Sequence, residues 1–463
     1  MVRFRSSLRD GALAAALATA AFATCTQQPH SGSLESRVAA YVEPYARTNN
    51  FSGVILITKD GRPLVRRGYG QAIREFDVPV TPETKFQVAS VSKSFTAAAI
   101  LFLEQQGKLQ TSDPLDRFIP GYPSGGRLTL HHLLAHTSGI PNVNALPDYD
   151  AKSRFPHGLE EILSWFKDKP LDFEPGARYA YSNSNYNVLA SVIERVSGKS
   201  YGAFLEEAIF RPLGMNDTAH HGDAENVIPR LAAGYAPAGG DAVERAPYLD
   251  WSVKTGNGSL YTTADDLAKW DRALYGDALL NETSRKKSFA EHTEGVGYGW
   301  FVRRGKHSSL ASNGRAPGFT ASIERFTDDR ICVIVLSNLY SSIGQSMAAD
   351  IAAIVFGEDR KPLIPVTPIK IAEIEIGRCL GRYRFGQDFS FNPGLVAEIK
   401  RDGPWLVLVG SGGAGTSYLV PIGEGRFIDR AYGGIVTFDT DAGGKAAGLT
   451  WNFGRDYRAA RMR

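Results

Sequence analysis

The stretch Thr84-Lys85-Phe86-Gln87-Val88-Ala89-Ser90-Val91-Ser92-Lys93 leads directly into a long helical pattern. From Val91 to Gln106 apolar residues recur at mixed spacings of three and four, and Gly107 follows as a helix stop. Ser90 therefore stands at the beginning of a predicted helix. Lys93 lies three residues later on the same helix face, so its ammonium group is expected beside the Ser90 hydroxyl.

This Ser-x-x-Lys spacing is typical of a serine nucleophile. A lysine whose pKa is lowered by burial can accept the serine proton, and the helix dipole favours negative charge at this end. The pattern alone is weak, because Ser164 to Lys167 and Ser284 to Lys287 repeat it in polar surroundings. The competing interpretation is that Ser90 is only a helix N-cap.

A second motif, Tyr181-Ser182-Asn183, gives the first one its context. Taken alone, Tyr181 fits equally a core aromatic whose hydroxyl is hydrogen-bonded. With the block around Ser90, however, the chain resembles the serine β-lactamase and D-alanyl-D-alanine peptidase superfamily, which includes penicillin-binding proteins, in its class C-related branch. The resemblance covers roughly residues 40–357 and extends through Leu133 to Pro141, Pro175-Gly176, Gly258 to Leu267 and Ala316-Pro317-Gly318-Phe319.

The resemblance implies a role for each residue of the two motifs. Ser90 would attack a carbonyl, Lys93 and Tyr181 would share its proton, and Asn183 would hold a substrate amide. A tyrosine ordinarily has a pKa of about 10, so Tyr181 is expected to act as a base only if the cation of Lys93 favours its phenolate.

The third motif of the family is a Lys or His, a small residue and Gly on the strand beside the site. Lys254-Thr255-Gly256 has these letters but precedes the block Gly258 to Leu267, which in the family comes well before that strand. Ser312-Asn313-Gly314-Arg315 lies directly ahead of Ala316 and is assigned instead. Ser312 thus occupies the position of the usual cation.

This departure affects the expected substrates. The backbone amides of Ser90 and Arg315 can still form an oxyanion hole, because backbone donors need no particular side chain. The positive charge that meets a substrate carboxylate in relatives is lost unless Arg315 or His307 replaces it. We therefore expect an esterase, amidase or peptidase rather than an efficient β-lactamase. A penicillin-binding or catalytically impaired protein without useful turnover is the alternative.

Two other motifs suggest different chemistry and are set aside. His136 and Ser138 invite a Ser-His-Asp triad, but the chain has no Gly-x-Ser-x-Gly elbow, and the resemblance implies a structural role for this stretch. The glycine-rich stretch Gly412-Gly413-Ala414-Gly415 lacks the lysine of a phosphate-binding loop and is assigned to a turn.

Composition narrows the class of partner. The net charge of the 463 residues is only +3, with no long run of Lys or Arg, which argues against nucleic acid and favours a small-molecule or peptide substrate.

Three cysteines are too few for a disulfide framework, and Cys332 lies in an apolar run that predicts a buried, inert thiol. No metal-binding spacing occurs, and the implied reaction needs no cofactor. The oligomeric state stays open.

The first residues indicate export. Arg3, Arg5 and Arg9 precede an apolar run, Gly11 to Phe22, as in a signal peptide of residues 1–23. Cleavage after Ala23 would leave a periplasmic protein, whereas Cys25 could instead carry the lipid anchor of a bacterial lipoprotein.

Two folded units follow from the strand and helix patterns. Residues 33–357 have strand patterns at both ends with helices between, which predicts a mixed α/β domain: an antiparallel sheet flanked by helices, plus a helical subdomain. Residues 358–370, with Pro362, Pro365 and Pro368, read as a stiff linker. Residues 371–463 show short alternating strands separated by glycine pairs, which predicts a small antiparallel barrel or sandwich. This part resembles the lipocalin-like appendage of some relatives.

Overall fold

The computed structural model describes residues 32–222, 225–363, 369, 372–389, 394–410, 416–423, 425–441, 443–452 and 455–462. Contacts join Leu34–Arg463 into one compact unit. The predicted signal peptide, Cys25, Pro365 and Pro368 of the linker, and the glycine-rich turn at 412–415 lie outside the described residues.

The strands that precede residue 340 form one large sheet and several short ribbons. In chain order they are β1 (Gly53–Lys59), β2 (Arg62–Tyr69), β3 (Gln71–Ile73), β4 (Val78–Pro79), β5 (Phe86–Gln87), β6 (Ala219–His220), β7 (Tyr235–Pro237), β8 (Val243–Arg245), β9 (Leu260–Thr262), β10 (Phe301–Arg303), β11 (Ser309–Ala316), β12 (Phe319–Phe326) and β13 (Ile331–Ser337).

The large sheet has six strands in the order β10-β11-β12-β13-β1-β2, and all its pairs are antiparallel. Its centre is covered on both faces, because every residue of β12 and β13 is buried. The hairpin β1–β2 turns at Asp60 and Gly61, which both have positive φ. Strand β10 begins at Phe301, after a turn region that contains Gly297 and Gly299.

Helices cover both faces of this sheet. They are α1 (Leu34–Arg47), α2 (Ser92–Gln105), α3 (Leu130–Leu134), α4 (Tyr149–Lys152), α5 (Leu159–Ser164), α6 (Asn183–Ser197), α7 (Tyr201–Leu205), α8 (Ala264–Ala273), α9 (Glu282–Phe289) and α10 (Ile343–Val355). Thr263 caps α8: its side chain accepts a hydrogen bond from the Asp266 amide. Helix α1 falls in a stretch that the sequence left without an element.

Two apolar cores lie on the two sides of the sheet. The larger one joins α2 and α6 to the face that carries Val54 and Leu56. The smaller one joins α1 and α10 to the opposite face, which carries Ile55 and Ile57. Cys332 is fully buried, and this burial raises the pKa of its thiol, in agreement with an inert side chain.

The C-terminal strands close into a barrel, which decides between the two predicted architectures. The barrel runs through β14 (Gly381–Phe385), β15 (Val396–Asp402), β16 (Trp405–Gly410), β17 (Thr416–Gly423), β18 (Arg426–Asp429), β19 (Ile435–Thr440), β20 (Ala446–Asn452) and β21 (Asp456–Arg461). A helix that the strand pattern missed, α11 (Glu373–Cys379), precedes it. Apolar side chains fill the barrel with a core of its own.

The barrel also packs against the first domain. Val420 and Ile428 belong to the same apolar cluster as α1 and α10. Arg430, which is fully buried, donates to the backbone oxygen of Asn49 at 2.9 Å and to the side chain of Asn50 at 2.8 Å. Within the described part of the chain, no helix has the length and apolar character needed to cross a membrane.

Candidate active site

Ser90 lies in a tight turn that leads into α2. A short 3-10 helix, Ala89–Val91, connects β5 to the helix, and Ala89 adopts a positive φ of 46°. The cap residue of α2 is Val91, with no hydrogen bond from a side chain to the helix. The N-cap interpretation of Ser90 is therefore wrong, and its hydroxyl is available to other partners.

Lys93 points its ammonium nitrogen at that hydroxyl. The Nζ atom lies 3.0 Å from Ser90 Oγ, 2.9 Å from Asn183 Oδ1 and 2.6 Å from the backbone oxygen of Asn257. These acceptors are neutral, and the side chain is buried. Burial, and then the charge of Lys254, lower the pKa of Lys93 well below its ordinary value of 10.5.

Tyr181 reaches Ser90 from the other side. Its hydroxyl lies 2.8 Å from Ser90 Oγ. The next residues begin α6, where the Asn183 amide donates to Asn142 Oδ1 at 3.0 Å and the Asn183 side-chain nitrogen donates to Asn144 Oδ1 at 2.8 Å. The second motif is thus held in place by the loop before α4.

The expected phenolate of Tyr181 is not supported. Burial raises the pKa of Tyr181, and the hydrogen bond with Ser90 only partly opposes this. Tyr181 keeps 37% of its surface exposed at the cleft, yet burial is the first cause of its raised pKa, and the adjacent Lys93, whose own pKa is lowered by burial, does not oppose it. The site therefore favours a neutral phenol at Tyr181 and lowers the pKa of the Lys93 amine.

Strand β11 forms the opposite wall of the site. A Cβ atom added to Gly314 would lie 2.1 Å from the backbone oxygen of Val88 and 2.6 Å from the amide nitrogen of Ser90. Only glycine permits this approach of two backbones. Lys254 lies instead in a short 3-10 helix, Trp251–Lys254, which supports the choice of Ser312-Asn313-Gly314-Arg315 over the other triplet.

The eight predicted site residues line one cleft of about 260 Å³. They are Ser90, Lys93, Tyr181, Asn183, Ser312, Asn313, Gly314 and Arg315. Ser312 is buried and neutral. Of the two cations considered as its replacement, Arg315 lines the cleft, whereas His307 stacks on Phe356 and hydrogen-bonds Asp329, so the suggestion of His307 is wrong.

His136 supports the site from behind. Its ring centroid lies 4.6 Å from that of Tyr181, and its Nδ1 accepts a hydrogen bond from the Ser182 amide at 3.2 Å. Burial, with a smaller contribution from Lys93, lowers the pKa of His136 to about 3. A neutral imidazole that packs behind Tyr181 fits the structural role expected for this stretch.

Several cleft residues had no sequence signal. The Asn257 carbonyl holds Lys93, yet a backbone oxygen has no signature in a sequence. Gln345 on α10 and Trp300 before β10 line the cleft from elements that carry no motif.

The two other Ser-x-x-Lys patterns, Ser164 to Lys167 and Ser284 to Lys287, make contacts of a different kind. Ser164 donates to the Glu161 carbonyl, and Lys287 pairs with Glu104. Among the described residues, no group of three or more His, Cys, Asp or Glu is placed to hold a metal ion.

Comparison with known proteins places this geometry in a family. The family model described as Beta-lactamase matches residues 38–356. Penicillin-binding protein 4* of Bacillus subtilis (strain 168) is 28% identical over 445 residues, which is 91% of this chain and 97% of that protein. A crystal structure of a penicillin binding protein from Bacillus halodurans is 28% identical, with a TM-score of 0.60, over 68% of this chain and 98% of that one.

The barrel is shared as well. The structure of the octameric penicillin-binding protein homologue from Pyrococcus abyssi is 26% identical, with a TM-score of 0.60, and the match covers 92% of this chain and 99% of that one. The match of the family model over more than half of the chain, on a fold with the expected architecture, identifies the chain as a member of the beta-lactamase family.

Proposed function

We propose that this chain is a serine hydrolase that works through an acyl-enzyme on Ser90. The observation that carries the proposal is the position of Ser90 Oγ, 3.0 Å from Lys93 Nζ and 2.8 Å from the Tyr181 hydroxyl. A nucleophile and its base within hydrogen-bond reach are the requirement for covalent catalysis. Membership of the beta-lactamase family supports the proposal.

In the acylation step, Ser90 Oγ bonds to the substrate carbonyl carbon while its proton passes to the neutral amine of Lys93. The carbonyl electrons move to oxygen, and the backbone amides of Ser90 and Arg315 stabilise the oxyanion. Collapse of this intermediate breaks the bond to the leaving group, which takes a proton from Lys93 through the Tyr181 hydroxyl.

In the deacylation step, a water molecule loses its proton to Lys93 and attacks the ester carbon of acyl-Ser90. The bond to Ser90 Oγ breaks, Ser90 takes that proton from Lys93, and the acid leaves. In the proposed complex Asn183, which hydrogen-bonds both Lys93 and the loop at Asn144, also holds a substrate amide. Esters, amides and D-amino-acid peptides are the substrate classes that this site accepts.

The alternative is a penicillin-binding protein that is acylated without useful turnover. The buried, neutral Ser312 favours it, since the cation expected at this position is missing. The same absence argues against efficient β-lactamase activity.

The proposal is tested with a fluorescent phosphonate probe and a panel of p-nitrophenyl esters, D-alanyl peptides and nitrocefin. Wild type should be labelled on Ser90 and should hydrolyse at least one member of the panel. Ser90→Ala should lose labelling and lower kcat/KM by at least about 10³-fold. Ser164→Ala is the matched control, because Ser164 begins the same four-residue pattern in α5 and should leave both unchanged.

The other outcomes of this experiment distinguish the penicillin-binding alternative from an incorrect choice of nucleophile. Labelling that persists with no turnover supports the penicillin-binding alternative. Hydrolysis by Ser90→Ala at the wild-type rate contradicts the proposed site.

We further propose that the protein acts after export, as the first 23 residues predict. A radiolabelled lipid on the expressed protein that is lost in Cys25→Ser would favour the lipoprotein over the cleaved periplasmic form.

A further inference from the structure

Lys254 is a buried lysine without a carboxylate partner. Only 8% of its surface is exposed, and its ammonium nitrogen lies 5.0 Å from the ring centroid of Tyr149. Among the described residues, no acidic side chain forms an ion pair with it. Asp250, in the same 3-10 helix, is bonded instead to the amide and the hydroxyl of Ser252, at 3.0 and 2.6 Å. A buried charge that only an aromatic ring stabilises costs stability and calls for a functional explanation.

The turn that follows Lys254 is bonded to the helix that carries the base. The Lys254 carbonyl accepts a hydrogen bond from the Asn257 amide at 2.9 Å, and the Asn257 carbonyl accepts one from Lys93 at 2.6 Å. The Thr96 hydroxyl, one turn further along α2, donates to the Gly256 carbonyl at 2.7 Å. Both lysines are therefore joined to the same short stretch of backbone.

Helix α6 holds this turn from the other side. The Asn187 side-chain nitrogen donates to the Thr255 carbonyl at 2.8 Å, and the Asn187 side-chain oxygen accepts a hydrogen bond from Asn257 at 3.0 Å. A Cβ atom added to Gly256 would lie 2.2 Å from the backbone oxygen of Tyr186, so the turn and the helix are in direct backbone contact. The two motif helices, α2 and α6, thus hold the two lysines in one rigid arrangement.

The aromatic and imidazole groups around Lys93 are neutral. The ring centroids of Tyr181 and Tyr186 lie 5.0 and 5.5 Å from its ammonium nitrogen, and burial raises the pKa of both phenols. Burial also lowers the pKa of His136, behind Tyr181, to about 3. Arg315 on β11 lines the cleft as well, with its guanidinium group stacked between two aromatic rings.

The charge of Lys254, in contrast, acts on Lys93. Two positive charges disfavour each other, most strongly where protein replaces water. After burial, the charge of Lys254 is the second cause that lowers the pKa of Lys93. Because a lysine can accept a proton only as a free amine, a cation nearby is one way to activate it.

We propose that Lys254 is a positioning residue of the active site: its buried, unpaired ammonium group disfavours a proton on Lys93 and so keeps the base in its free-amine form. The inference rests on the proposed serine hydrolase function and specifies how the working pH range of that site is set. It also gives a role to Lys254-Thr255-Gly256, whose letters match the family's third motif although the residues do not line the cleft.

The test measures the rate at which a neutral fluorescent phosphonate labels Ser90 in the full chain, over a series of pH values. Lys254→Met should move the midpoint of the rate to higher pH. Below the midpoint the rate should fall about tenfold for each pH unit of that shift. The plateau at high pH should stay within about threefold of wild type, because Lys93 is then a free amine in both proteins. Lys254→Arg keeps the charge and should keep the wild-type midpoint.

Lys85→Met is the matched control. Lys85 is also buried and lies 5.6 Å from the ring centroid of a tyrosine, but it pairs with Asp217 at 3.1 Å and is not among the charges that act on Lys93. This variant should leave the midpoint unchanged. In a Lys93→Met background, Lys254→Met should change the remaining rate by less than about twofold, because the amine on which it acts is gone.

Equilibrium unfolding in urea gives an independent readout. Lys254→Met replaces an unpaired buried charge by an apolar side chain, so its urea midpoint should rise, whereas that of Lys254→Arg should not. If Lys254→Met does not fold, Lys254→Gln, which is also uncharged, carries the labelling test. An unchanged pH midpoint in the uncharged variant, an equal shift in Lys254→Arg, or a fall in the urea midpoint of Lys254→Met would overturn the inference. Failure of the phosphonate to label Ser90 in wild type at any pH would instead refute the proposed function.

Discussion

In the proposed mechanism Lys93 accepts the proton of Ser90, so the protonation state of Lys93 should affect the rate at which Ser90 is labelled. Protonated Lys93 cannot accept the serine proton, and the pKa of Lys93 is lowered well below 10.5 by burial. Labelling of Ser90 by a neutral phosphonate should therefore rise with pH along one ionisation whose midpoint lies well below pH 10.5. The raised pKa of Tyr181 keeps the phenol neutral over this range.

Labelling rates at a series of pH values check this expectation. Lys93→Met should lack the ionisation and label slower by about 10²–10⁴-fold, the usual contribution of a general base. A midpoint near pH 10 in wild type would show that Lys93 is charged in the resting enzyme and would contradict the assignment.

The limits of sequence reasoning are clear at these residues. Ser90, Lys93, Tyr181 and Asn183 come from motifs, and the structure brings them together. The protonation states do not follow from the motifs, because they depend on how much protein surrounds each group. From the motifs alone we expect the cation of Lys93 to favour the phenolate of Tyr181. In the structure, burial disfavours both the ammonium form of Lys93 and the phenolate form of Tyr181.

Strand β11 passes close to the turn that carries Ser90, so its sequence must allow the two backbones to approach each other. Gly314→Ala would place a Cβ within 2.6 Å of the Ser90 amide and within 2.1 Å of the Val88 carbonyl, so the strand or the turn must shift. Because a misplacement of about 1 Å can cost about 100-fold, kcat/KM should fall by at least that factor.

Steady-state kinetics on the best ester of the panel measure this loss. Gly305→Ala is the control, since a Cβ at this position, shortly before β11, would meet no atom within 4 Å. It should stay within about twofold of wild type. Equal activity of the two variants would mean that β11 does not form the wall of the site.

The same strand shows why some elements leave no pattern in the sequence. The apolar run of β13 is typical of a buried strand. Strand β11 is buried too, but Ser309, Ser312 and Gly314 are small and give no apolar signal. Their size follows from the close backbone approach, which only the fold reveals.

At the scale of the whole molecule, Arg430 connects the barrel to the first domain. Besides Asn49 and Asn50, its guanidinium donates to the carbonyls of Gly240 at 2.6 Å and Ala242 at 2.9 Å. Arg430→Met would leave these buried acceptors unpaired and should lower the free energy of unfolding by about 3 kcal/mol.

Equilibrium unfolding in urea checks this value. The control is Arg401→Met, which removes an exposed barrel arginine paired with Glu373 and should change the free energy of unfolding by less than about 1 kcal/mol. Equal changes for both variants would show that the contact made by Arg430 contributes little to stability. The sequence predicts a second, β-rich unit. It does not predict the contact of Arg430 with residues 49 and 240, because the residues around Arg430 form no motif that indicates a partner so distant in the chain.

The pairing of β1 with β13 has a consequence for how the protein is made. Gly53 pairs with Ser337, so the first hairpin waits for a partner that emerges 284 residues later. At synthesis rates of about 5–20 residues per second this delay is on the order of tens of seconds, during which one edge of an apolar hairpin has no neighbour. Folding of the sheet is therefore expected to be slow, because the strands that pair are distant in sequence.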